Sequence, residues 1–322
     1  MLILGDQSHH RGRWPFITVL LVLINIAMFA LQVAMGERLT NGYSLVPKEI
    51  TTFKDITKPQ KIKVKVQEVV DDHHGFAHAE MREKVITINH YPGPFPIGLT
   101  LITSMFLHGG VVHLIGNMWF LLVFGRNVEC AMSHGRFLAF YVACGICASL
   151  AHVLSDMHSI LPCLGASGAI SGIMGAYISI HPLNKVKIWF GWWLGVIDVP
   201  AIAVIGLWFL LQYLSAFWSL EDGYSDGVAY WAHLGGFCAG FLILRGVVFY
   251  LRRQQAAGKG GDEPLAPVEE GLSTAPAAEP VPNPLDGDEI AAGKPDPFAT
   301  FLSVQTIRKL QKDKEAAGPQ EK

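Results

Sequence analysis

The stretch CLGASGAISGIMGAY, residues 163–177, decides how this chain folds. Gly168, Gly172 and Gly175 recur along one strip of a helical reading. The Gly168-x-x-x-Gly172 spacing is the small-residue pattern that lets two helix backbones approach closely inside a bilayer. One hydroxyl, Ser167, sits between glycines at the mouth of the segment. A helix from Ser167 to near His181 has about 15 residues and a length of roughly 22 Å. A hydrocarbon slab is about 30 Å thick, so such a helix ends about 8 Å below the surface. Ser167 then lies in a cavity that water has to reach.

The rest of the chain fits that setting. Of 322 residues, 51% are hydrophobic and 16% charged, and the mean hydropathy is +0.33, which points to a bilayer as solvent. Pro15–Met35 and Val199–Ser219 are free of charge over membrane length. Four more apolar segments follow at about 111–127, 137–155, 167–181 and 230–251. The expectation is an all-α polytopic bundle of six transmembrane helices. The first apolar run is too long for a signal peptide and no A-x-A site closes it, so it reads as an uncleaved span.

Lysine and arginine set the orientation. Arg11 and Arg13, Arg126 and Arg136, Lys185 and Lys187, and Arg252 and Arg253 fall on alternate sides, whereas loops 157–166 and 220–229 carry none. Both termini are therefore expected in the cytoplasm, with segments two, four and six running from outside to inside. The long first extracytoplasmic loop, about 36–96, contains KIKVKVQEVV (61–70) and EKVITINHY (83–91), two alternating runs expected to pair as a hairpin. Between them lies DDHHGFAHAE, with Asp71, Asp72, His73, His74, His78 and Glu80. This reads as a solvated turn, because structural metal sites show sparser, regular ligand spacing. From about 254 to 297 the composition turns to Pro, Ala, Gly and acidic residues, which cannot bury a core. The expected organisation is a membrane domain over 1–253 and a mostly disordered cytoplasmic tail over 254–322. Phe298, Phe301, Leu302 and Leu310 leave room for a short surface or partner-binding helix at 298–313, or for a weakly populated one without a role.

Polar groups inside spans are costly and mark function by default. Segment six, with WAHLGGFCAG at 231–240, answers the glycine strip with Ala232, Gly236 and Gly240 and carries His233 three residues before Gly236. Packing glycine on glycine brings the Ser167 hydroxyl and the His233 imidazole to similar depth. Ser167 reads either as a helix N-cap or as a nucleophile whose proton a histidine takes. Segment two, in SMFLHGGVVHLIGNMWF at 104–120, places His113 and Asn117 four apart on one face. They are either interhelical glue or two N–H donors for a tetrahedral oxyanion, joined by the amides at the start of segment four. Nucleophile, base and oxyanion donors together describe acyl transfer.

These residues resemble the rhomboid intramembrane serine proteases. The motifs are GASG with Ser167, AHLGGFCAG with His233, and HGGVVHLIGN with His108, His113 and Asn117, on segments two, four and six. The resemblance covers about 15–38 and 90–253. It implies a Ser–His dyad, without an acidic third member, hydrolysing a peptide bond in or near a substrate's transmembrane segment. It implies that His113 and Asn117 join the Ser167 amide as oxyanion donors, that Gly165 shapes the preceding loop, and that His108, Gly168, Gly236 and Gly240 support the site. Gly125, Glu129, Gly135 and Arg136 resemble family positions with a structural role. Many members carry an aromatic residue four positions after the nucleophile, to support the histidine. Here Ser171 stands there, leaving the orientation of His233 open. The first loop lacks the Trp-Arg pair of some relatives.

Other classes fit less well. A net charge of −2 without a basic stripe argues against nucleic acid. Cys130, Cys144, Cys147, Cys163 and Cys238 form neither a metal-ligand CxxC pair nor a secreted-type disulfide grid, since most, the C-x-x-C spaced Cys144 and Cys147 included, fall inside apolar segments, and they read as small hydrophobes. The G-x-S-x-G elbow fails because Ala169 takes its last position and no strand precedes Ser167. A transporter would spread polar groups through the full depth, whereas these cluster at one end. A non-catalytic membrane-protein binder that holds client helices is the alternative the dyad opposes. No cofactor or metal is expected; the partners are the lipid bilayer and transmembrane protein substrates. The location is a bacterial inner membrane, since no organelle-targeting leader is evident.

Overall fold

The computed structural model describes residues 2–6, 14–71, 77–189, 195–222 and 228–256, all within one compact unit, Met1–Ser273. β1 (Leu2–Asp6) precedes α1 (Phe16–Met35), the short α2 (Glu37–Gly42) and α3 (Pro47–Thr52), strands β2 (Gln60–Asp71) and β3 (Ala77–Ile88), and the single turn α4 (Thr100–Thr103). α5 (Val111–Phe120) passes through a π-helical turn, Leu121–Gly125, into α6 (Arg126–Met132); α7 (His134–Ser155) and α8 (Ser167–Ile180) follow. After β4 (Lys185–Trp189) and β5 (Val196–Pro200), α9 (Ala201–Asp222) and α10 (Tyr230–Ala256) complete the order.

Among the described residues, five helical stretches are long and apolar enough to cross a membrane: Phe16–Met35, Val111–Met132, His134–Ser155, Ala201–Trp218 and Tyr230–Gln254. They present apolar side chains outward, among them Leu23 and Ile26 on α1, Leu207, Leu210 and Leu211 on α9, and Leu242 and Phe249 on α10. Such faces suit lipid and not water. The chain is a mostly helical, multi-pass membrane protein.

α8 is the short one, 14 residues or about 21 Å. It is enclosed where the long helices are not: Gly168 through Tyr177 are all buried. Its packing partners include Phe124, Phe137, Tyr141 and Cys144, each fully buried, and Phe124 meets Tyr177 edge to face at 5.1 Å. Against α10 the contact is backbone on backbone. A Cβ built on Gly240 would overlap the Gly172 carbonyl, and one on Gly236 would overlap that of Gly168. Only glycine permits this approach, so the two strips seen in sequence face each other.

A three-stranded antiparallel sheet, ordered β1-β4-β5, adds to the helices. It was not anticipated, because residues 2–6 are too short a run to be assigned an element from sequence. Val186 and Ile188 of β4 are buried in an alternating pattern. β5 absorbs Val199 and Pro200, which pair with Val186 and Lys185. The apolar segment read from Val199 therefore begins as a helix at Ala201. β2 and β3 pair from Gln60↔Ile88 to Asp71↔Ala77. The expected turn is shorter than read, since His78 and Glu80 already belong to β3, opposite Val70 and Glu68; Asp72, His73 and His74 lie outside the described residues. So does the tail, except that α10 continues through Ala256.

Two anchors fix α1. At its start the buried Glu129 carboxylate accepts from the amides of Ile17 and Thr18 at 2.8 Å each and from the Thr18 hydroxyl at 2.7 Å, filling orphan donors of the positive helix end. His134 Nδ1 lies 2.5 Å from the same carboxylate. At its end Gln32 exchanges two bonds with the His108 backbone, accepting at 2.9 Å and donating at 3.1 Å.

In the first loop the Glu49 carboxyl is buried on α3. Burial, with the nearby Asp55 charge, lifts it from 4.5 to about 7, against the opposing pull of the Ile56 amide. The folded chain thus keeps a proton that the unfolded chain releases, and stability falls as pH rises from 4.5 towards 7 and levels beyond. Glu49→Gln is expected to flatten this part of the curve. Melting midpoints of the two proteins compared across pH 4.5–7.5 check it.

Candidate active site

The loop that delivers Ser167 is held from two sides. Leu45 and Cys163 exchange backbone bonds at 2.9 and 2.8 Å, and the Gly165 amide donates to the Ser104 carbonyl at 2.9 Å. Gly165 has φ +134, a conformation that side chains rarely adopt. A Cβ there would come within 2.9 Å of His113 Cε1 and 3.5 Å of Ser167 Oγ. The glycine therefore keeps open the space between those two groups.

Ser167 is the first residue of α8, Ala166 holds the cap position, and no side chain caps the helix. The N-cap reading of Ser167 is thereby replaced: its Oγ lies 2.8 Å from His233 Nε2. α10 carries the histidine, and the glycine contact between α8 and α10 sets both groups at one depth.

His113 and Asn117 stand on the same face of α5. The Gly109 amide donates to His113 Nδ1 at 3.3 Å, which leaves the ring proton on Nε2. That nitrogen faces the Gly165 space, 3.1 Å from where a Cβ would sit. Asn117 is buried, and its Nδ2 has no hydrogen-bond partner. A buried amide donor left open is costly and is what an incoming oxyanion would satisfy. His108 is also buried and meets His113 edge to face at 5.3 Å. The amides opening α8 complete the cluster.

Residues 98–249 match the rhomboid domain family, a span that contains every residue of the cluster. Residues 98–249 are a rhomboid domain. The chain is 34% identical over 154 residues to RHOMBOID-like protein 5 of Arabidopsis thaliana, covering 48% of this chain and 45% of that protein. It is 41% identical over 85 residues to Rhomboid protease GluP of Bacillus subtilis (strain 168), covering 26% and 16%. It is 31% identical over 170 residues to Rhomboid protein 1, mitochondrial, of Saccharomyces cerevisiae, covering 50% and 46%. This chain spans less than half the length of each of these relatives.

Within this rhomboid domain two site neighbours were missed by the sequence reading. His233 Nδ1 lies 2.6 Å from Gln212 Oε1, and the Trp208 ring lies 6.0 Å from the His233 ring at 37°. Both come from α9, one turn apart. Both stand against the His233 ring, whereas the Ser171 hydroxyl donates to the Ser167 carbonyl at 2.7 Å. The available signal was an amide side chain inside an otherwise apolar span. Beside the nucleophile a cavity of about 20 Å³ is lined by Ser104, Ser149, Gly165 and Ser167 among others. That is room for one water molecule. Among the described residues no cluster of three or more His, Cys, Asp or Glu could hold a metal ion. Of the other family-like positions, Glu129 anchors α1 as above, Gly125 closes the π-helical turn against Thr18, and Arg136 is exposed.

Proposed function

We propose that this rhomboid is an intramembrane serine endopeptidase cutting transmembrane proteins in or near their membrane segment. The observation that carries the reading is the 2.8 Å contact between Ser167 Oγ and His233 Nε2, beside the N–H groups of His113 and of the buried, unpartnered Asn117. Ser167 Oγ attacks the scissile carbonyl carbon while its proton passes to His233 Nε2. The oxyanion that forms is held by His113 Nε2–H, the Asn117 amide and the amide of Ser167. Collapse breaks the C–N bond, and His233 returns the proton to the leaving amine. A water molecule then attacks the acyl ester, gives its proton to His233, and Ser167 Oγ leaves with that proton. No step calls on a metal or cofactor.

The architecture behind this reading has six spans, with α8 as a short fourth helix that opens the site to water from one side. By the lysine and arginine distribution the active site faces away from the cytoplasm and both termini are cytoplasmic; a bacterial inner membrane is the proposed location. Residues 1–253 form the membrane domain and the remainder a tail.

Cleavage of a single-span reporter by the purified chain in liposomes tests the reading; absence of any product from correctly folded protein with several reporters contradicts it. Asn117→Ala should lower kcat by about 10²–10³-fold, the usual cost of one oxyanion donor. A kinetic series on that reporter checks it, and KM should move far less.

A further inference from the structure

We infer that Gln212 is a positioning residue that fixes the tautomer and ring plane of His233, an assignment that rests on the proteolytic reading above. For His233 Nε2 to take the Ser167 proton it must carry a lone pair, so the ring hydrogen has to reside on Nδ1. Gln212 Oε1, at 2.6 Å, is a carbonyl oxygen that can only accept. It selects the Nδ1–H form and turns the Nε2 lone pair to Ser167. When the proton arrives and imidazolium forms, the Nδ1–H bond to that carbonyl becomes charge-assisted and strengthens.

An amide suits this place better than a carboxylate. The contact lies within a membrane-spanning helix, where an ionised side chain is expensive. A neutral acceptor orients the base without a buried charge when the base is neutral. Trp208, four residues earlier on the same face of α9, packs its ring against the imidazole, and Phe209 meets Phe237 of α10 at 4.5 Å. These contacts hold α9 against the helix that carries the base. Gln212 thus supplies the direction of the ring and Trp208 its backing, in a chain that has Ser171 after the nucleophile.

The test uses the full chain in liposomes with the reporter and a serine-reactive isocoumarin, on wild type, Gln212→Leu and Gln212→Glu. Gln212→Leu keeps the volume and removes the acceptor; kcat and the labelling rate of Ser167 should both fall about tenfold to a hundredfold, with KM within about twofold. Gln212→Glu restores an acceptor and should recover most of the loss. In wild type the nitrogen resonances of His233, assigned by their absence from His233→Ala, should show the Nδ1–H form, and Gln212→Leu should lose it. Wild-type kcat in Gln212→Leu, or an Nε2–H tautomer in wild type, overturns the assignment while leaving proteolysis intact. If Gln212→Leu does not fold, the Gln212→Glu kinetics and the wild-type tautomer decide. Failure of wild type to cleave or label removes the proteolytic reading and this assignment together.

Discussion

Ser167→Ala and His233→Ala should each reduce reporter cleavage by about 10⁴–10⁶-fold, the range for removing a nucleophile or its base from a serine hydrolase. The double variant should be little worse than either single one, because the two groups act as a unit. The physical reason lies in the contact itself. A serine hydroxyl is a weak nucleophile until a base takes its proton, and the 2.8 Å separation between Oγ and Nε2 is within transfer distance. Alanine at 167 removes the attacking atom but leaves the α8 cap untouched, since no side chain caps that helix. Stability should therefore be nearly unchanged in Ser167→Ala. A melting curve beside the cleavage assay separates lost chemistry from lost fold.

Gly240→Val should be the most damaging single change outside the dyad. A side chain there would run into the Gly172 carbonyl, and one at Gly236 into that of Gly168. Neither obstacle is a flexible side-chain end that can swing away; both are backbone of the enclosed helix α8. Accommodation requires α8 and α10 to separate. Overpacking in a dense interior costs about 1–3 kcal/mol when neighbours can adjust, and here they cannot without moving Ser167 from His233. The expected result is a loss of activity larger than the loss of stability. Gly246→Val on the same helix is the control, since a Cβ there meets nothing within 4 Å. Cleavage rate and denaturation midpoint, measured on both variants, check this.

Much of the site was legible in sequence because its chemistry is written in expensive positions. Ser167, His233, His113 and Asn117 stood out as polar groups in apolar segments, and the glycine spacing on segments four and six foretold which helices meet. The shortness of α8 was legible too, 14 residues where about 15 were expected, whereas its full burial was not. Asn117 was legible because His113 stands one turn before it, whereas Gln212 has no histidine or second amide one turn away in its span. Gln32, tied to the His108 backbone, was missed in the same way. The sheet was hidden by a different cause: β1 is five residues long and pairs with a strand more than 170 positions away, so no local period reveals it. The hairpin, by contrast, was legible because its two strands alternate and are adjacent. Where β5 ends and α9 begins could not be read from hydropathy, since Val199 and Pro200 suit either element.

The central claim is that Ser167 becomes an acylated nucleophile under the control of His233. Its most direct measurement is mass-spectrometric mapping of the adduct formed when the purified chain in liposomes reacts with a serine-reactive isocoumarin. A single adduct on the peptide containing Ser167, absent from Ser167→Ala and formed at a small fraction of the rate in His233→Ala, is the predicted result. Folded protein that stays unmodified, or carries its adduct on another residue, would contradict it.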